Sequence, residues 1–86
     1  MQRENKNEVI RRLKSVEGHV RGVAKMVEEG DVTYADLVQQ TNAIFSALRR
    51  INTMLLKDFV EERAEQDGAS EEMIKDLMKA IDRVTR

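Results

Sequence analysis

The stretch YADLVQQTNAIFSALRRINTMLLKDFVEER, Tyr34 to Arg63, runs for 30 residues without a proline or a glycine. Tyr34, Leu37, Thr41, Ile44, Leu48, Ile51, Leu55 and Phe59 recur at steps of three and four, the spacing of one helix face. Val38, Phe45, Ala47, Met54, Leu56 and Val60 widen that stripe, so the helix expects neighbours on more than one side. At 1.5 Å per residue such a helix is roughly 45 Å long. A compact globule of this chain's 86 residues has a radius of gyration near 12 Å and a diameter of only about 30 Å. The helix therefore overhangs any single-chain globule, and its apolar stripe continues through the overhang as Met54, Leu55, Leu56, Phe59 and Val60. Left in water, that surface is an aggregation liability. A symmetric partner covers it most economically; a long helix in a monomer is the alternative.

Two further helices flank it. Val9, Leu13, Val16, Val20, Val23 and Val27 form a stripe that Gly30 stops. Thr33 then stands at an N-cap position, with Asp36 three residues on as a short-armed capping box. Asp67-Gly68 ends the long helix, Ser70 caps a third, and Met73, Ile74, Leu77, Met78, Ile81 and Val84 form its expected buried face. The sequence thus predicts an all-α, single-domain chain (residues 1–86) with helices over about 5–29, 33–66 and 70–84. Antiparallel pairing of two hairpins predicts a four-helix-bundle dimer, with the third helix packing across an end.

Absent residues exclude whole chemistries. There is no cysteine, which removes disulfides, thiolate metal sites and thiol redox reactions. His19 is the sole histidine, and one imidazole without thiolate partners makes a poor metal site. The carboxylates Asp58, Glu61, Glu62 and Glu65 follow one straight helix; they read as a solvated face, because holding a hard cation requires ligands that fold back around it. No nucleophile–base set, paired catalytic carboxylates or glycine-rich phosphate loop is present, so an enzyme is not expected and no cofactor is implied. No leader-like or membrane-spanning pattern is found, and the expected location is cytoplasmic.

Charge is unevenly distributed. Residues 1–25 carry seven basic side chains against three acidic ones, and residues 57–86 carry six against nine. Such a basic end fits a polyanionic partner, and it also fits ordinary charged surface helices. Arg11, Lys14, Arg21 and Lys25 share one face of the first helix, away from the valines, and Gly18 lies in that stripe. A helix-interior glycine costs about 1 kcal/mol relative to alanine; its usual benefit is close approach of another surface. Arg12 lies on a neighbouring face with Glu8, Ser15 and His19. Arg49 and Arg50 sit midway along the second helix, flanked by Asn42, Ser46, Asn52 and Thr53. Guanidinium forks with small polar donors suit phosphate contacts. Pairing of the arginines with Glu8, Glu17 and neighbouring acids is the other reading of the same residues.

The segments RRLKSVEGHVRGVAKMVEEGD and LVQQTNAIFSALRRINTMLL resemble the copper-sensitive operon repressor family, which includes nickel/cobalt-responsive and formaldehyde-responsive members. The resemblance runs roughly from residue 8 to residue 84. It implies a dimer built as an antiparallel four-helix bundle, a dimer of dimers, and a repressor that binds a double-stranded DNA operator without a helix-turn-helix. It also implies that Arg12 and Arg50 stand at the family's DNA-contact positions. With the basic pattern above, the expected DNA-binding set is Arg11, Arg12, Lys14, Arg21, Arg49 and Arg50.

The resemblance also locates a departure. The family's sensing set is a cysteine at the start of the second helix, then a histidine and a cysteine or histidine one turn apart near its end. Tyr34, Phe59 and Arg63 match those positions. None is a soft or imidazole ligand, so neither soft-metal binding nor thiol chemistry is expected there. Tyr34 and Phe59 either fill a dimer interface or line a pocket for an organic effector. The alternative to a repressor is a helical interaction module that forms mixed oligomers and has no DNA role of its own.

Overall fold

The computed structural model describes residues 1–84. Three helices follow in order: α1 (Arg3–Glu29), α2 (Tyr34–Gln66) and α3 (Glu71–Val84). The expected stops and starts are made as atoms. Gly30 takes the left-handed conformation at φ 72° and its N–H donates to the Met26 carbonyl, a backbone shape that costs glycine little. Thr33 Oγ1 accepts from the Asp36 amide at 3.1 Å, and Ser70 Oγ accepts from the Met73 amide at 3.2 Å. Gly68 closes α2 at φ 74°. α1 begins at Arg3, two residues before the expected boundary, within the ordinary uncertainty of helix ends.

α1 and α2 form an antiparallel hairpin whose core is Val9, Val16, Ile44 and Ile51, with Val23, Ala47 and Met54 packed on it. Asn5 Nδ2 donates to Asp58 Oδ1 at 3.0 Å near one end. His19 Nε2 meets Gln40 Oε1 at 2.7 Å near the other. α3 folds back along the last turns of α2, where Lys57 pairs with Asp82 at 2.6 Å and Ile81 is buried. α3 packs on α2, and no α1–α3 packing occurs among the described residues.

The helices therefore lie side by side in the order α1–α2–α3, and the molecule measures 56 × 26 × 13 Å. A helix with its side chains is about 10–12 Å across, so this is a single layer. Its radius of gyration, 17.1 Å, exceeds the roughly 12 Å of a compact chain of this length. One layer cannot bury both faces of its helices. Consequently each apolar stripe is split. Val9 and Val16 face α2, whereas Leu13, Val20 and Val27 on the same helix are exposed. On α3, Ile74 and Met78 are half-buried beside Ile81, while Met73, Leu77 and Val84, expected inside, are exposed.

Candidate nucleic-acid interface

The six expected DNA-binding residues do not form one patch. Arg11, Lys14 and Arg21 are exposed on the outer face of α1, and Arg12 is half-buried at the α1–α2 seam. Arg49 and Arg50 are exposed neighbours on α2 that diverge by about 100°, as consecutive residues of a 3.6-residue turn must. Arg49 lies in a shallow groove with Asn42, Phe45, Ser46 and Asn52. Thr53, expected among the phosphate donors, instead returns its hydroxyl to the Arg49 carbonyl at 3.0 Å. Arg50 continues the line of Lys57, and so lies on the side where α3 packs.

Register sets Arg12 and Arg50 at a similar level along the hairpin. Between the Asn5–Asp58 and His19–Gln40 rungs, an antiparallel hairpin sets Arg12 level with the Ala47–Ile51 turn of α2, which contains Arg50. Arg12 lies on the flank of α1 opposite Leu13, Val20 and Val27. Arg50 lies on the flank of α2 opposite Phe45, Asn52 and Phe59. In antiparallel right-handed helices those two apolar flanks fall on the same side of the layer. One broad face is thus apolar, and the other carries Arg12 and Arg50 at one level.

Ion pairs divide the cations further. Glu8 Oε1 accepts from Arg11 Nη2 at 2.7 Å and from Arg12 Nε at 2.8 Å, and Glu8 Oε2 accepts from Arg11 Nε at 3.0 Å. The bonds from Arg11, then Arg12, hold the Glu8 carboxyl down from the ordinary 4.5 to about 2, and the same contact pushes Arg11 up. Arg21 pairs with Glu17 at 2.9 Å and Lys25 with Glu29 at 4.0 Å. Lys14, Arg49 and Arg50 have no acidic partner among the described residues. The helix-interior Gly18 has open space where a Cβ would stand, so nothing within the protomer explains it.

The three positions of the expected sensing set lie on α2, and they do not meet within a protomer. Tyr34, at the start of α2, is 88% exposed. Phe59 and Arg63 lie one turn apart near the other end, beside Met73 and Leu77 in an open groove at the α2–α3 corner. The separation of 25 residues is roughly 37 Å of helix. Phenol, phenyl and guanidinium offer no thiolate or imidazole, and no group of three or more His, Asp or Glu side chains is placed to hold a metal ion among the described residues. No helix among the described residues is long and apolar enough to cross a membrane.

The family described as metal-sensitive transcriptional repressor matches residues 5–83. This chain belongs to that family. The copper-sensing transcriptional repressor CsoR of Mycobacterium tuberculosis H37Rv is 33% identical over 79 residues, covering 88% of this chain and 66% of the relative. RicR, another copper-sensing transcriptional repressor of that organism, is 42% identical over 55 residues, covering 64% of this chain and 56% of RicR. The copper-sensing CsoR of Bacillus subtilis 168 is 31% identical over 84 residues, covering 94% of this chain and 82% of that protein. The chain spans 66% of the length of the mycobacterial CsoR. No solved structure matches it. The family is one of transcriptional repressors, not enzymes.

Proposed function

We propose that this protein is a cytoplasmic, operator-binding transcriptional repressor that acts as a dimer or a dimer of dimers. In this reading it is not released by a soft metal. The observation that carries the reading is the face with Arg12 and Arg50 at one level, opposite the apolar face that a second copy covers. Arg50 is free of acidic partners, and Arg12 is held by one nitrogen only. Two-fold pairing through the apolar face repeats the cationic face on the outside of the dimer, where a duplex can reach it. Lys14, exposed on the outer face of α1, adds a sequence-independent phosphate contact.

An electrophoretic shift with the DNA upstream of the protein's own gene tests this. The expected result is retarded operator whose affinity falls steeply with salt, each neutralised phosphate contributing about −0.9 to the log–log slope. Arg12→Ala and Arg50→Ala are expected to weaken binding by tenfold or more, about 1.4 kcal/mol, with helicity unchanged. Unchanged affinity in both variants removes the assignment of these residues. The second reading is a module for mixed oligomers. Pairing of Arg11, Arg21 and Lys25 within α1 favours it, since those cations are partly neutralised already. A well-folded oligomer with no affinity for any duplex would decide for it.

A further inference from the structure

We propose that Glu8 sorts the two arginines beside it, presenting Arg12 to a DNA phosphate and keeping Arg11 from one. This rests on the DNA-binding reading and adds a positioning residue to it. The two arginines are held differently. Arg11 gives Glu8 both Nε and Nη2, at 3.0 and 2.7 Å. That side-on fork is the edge a guanidinium would offer a phosphate. Arg12 gives only Nε, at 2.8 Å, so its two terminal nitrogens keep their donors. One carboxylate thereby consumes the fork of one arginine and fixes the stem of the other. Half-buried at the seam, Arg12 is also braced by its place between Val9 and Val16, whereas Arg11 is exposed on the outer face of α1.

The arrangement persists under any condition where duplex DNA binds, because Glu8 ionises at about 2. A competing phosphate meets Arg11 already neutralised, and little counterion is released by displacing Glu8 from it. Salt dependence, which reports released counterions, is therefore the quantity that distinguishes a sorted pair from two free arginines. Arg11 is also a sequence-independent contact if freed, so its release favours random duplex over operator.

The test is Glu8→Gln, compared with Glu28→Gln, which makes the same charge change on the same helix where no arginine is bound. Affinity for random duplex is measured from 50 to 200 mM salt. Glu8→Gln is expected to steepen the log–log slope by about 0.9 per added contact, raise random-duplex affinity about threefold at low salt, and lower the operator preference. Glu28→Gln leaves the slope unchanged. In an Arg11→Ala background the effect of Glu8→Gln on the slope disappears. The inference is overturned if Glu8→Gln leaves the slope unchanged, or changes it equally without Arg11. Exchange of the Arg11 Nε–H, followed by NMR without DNA, gives a second readout: slow in the wild type, fast in Glu8→Gln. If slow exchange is lost in the variant while no duplex binds either protein, the sorting is real and the DNA reading fails.

Discussion

A carboxylate that satisfies two arginines and a glycine that touches nothing lie on the same short length of α1. Glu8 engages Arg11 and Arg12, and Gly18 has free space around an imagined Cβ. A helix-interior glycine weakens the helix by about 1 kcal/mol relative to alanine, and no packing within the protomer compensates. On the proposed function, a duplex backbone approaching the outer face between Lys14 and Arg21 would give it a reason. Gly18→Ala is therefore expected to raise the melting temperature by a few degrees, through about 0.5–1 kcal/mol, and to lower DNA affinity. Thermal melting and the same shift assay read the two effects; a gain in stability with no loss of affinity leaves Gly18 without a DNA role. The alternative pairing of arginines with Glu8 and Glu17 was legible in the sequence, since i to i+3 and i to i+4 spacing makes neighbours. Which nitrogens Arg11 and Arg12 commit was not, because rotamers decide that, and spacing is silent about rotamers.

The boundaries from the end of α1 to the start of α3 were legible for local reasons; the start of α1 was not, since Gln2 makes no side-chain cap there. Gly30, Thr33, Gly68 and Ser70 act on amides within a few residues of themselves. The stripes were legible as stripes, but not as two faces each: Leu13 and Val16 read alike until α2 selects one of them. α2 also carries the expected sensing positions. Tyr34 and the Phe59–Arg63 turn occupy its opposite ends, and neither end supplies a thiolate or an imidazole. His19 is engaged elsewhere, on α1, with Gln40. Copper(I), nickel, cobalt and zinc are accordingly expected to bind no more tightly than to an unstructured chain of the same composition. Equilibrium dialysis against each metal decides this. One tight ion per protomer, lost in His19→Ala, would reveal a site assembled between protomers from groups that are separate in one.

At the scale of the molecule, the decisive fact is a layer 13 Å thick with Val27 58%, Phe45 62% and Phe59 61% exposed on its apolar side. The four side chains of the hairpin core are a small core for a chain of this length, and small single cores are marginal without oligomerisation. Association and folding should then be coupled, because a partner that binds only the folded layer stabilises it by mass action. The melting temperature is expected to rise with protein concentration from low micromolar upward, and sedimentation to find a dimer or tetramer throughout the folded range. Phe45 lies about a third of the way along α2, on the apolar face that the proposed second copy would cover. Phe45→Glu replaces an apolar ring with a carboxylate in a surface that must lose its water on pairing, a cost that Arg49 one turn on offsets only in part. The expected outcome is loss of the oligomer and of the concentration dependence, together with a lower melting temperature. Glu substituted at Lys14, on the outer face of α1, should leave both intact. A folded wild-type monomer at micromolar concentration, melting at one temperature regardless of dilution, would mean that this layer stands alone and that its apolar face serves some other partner.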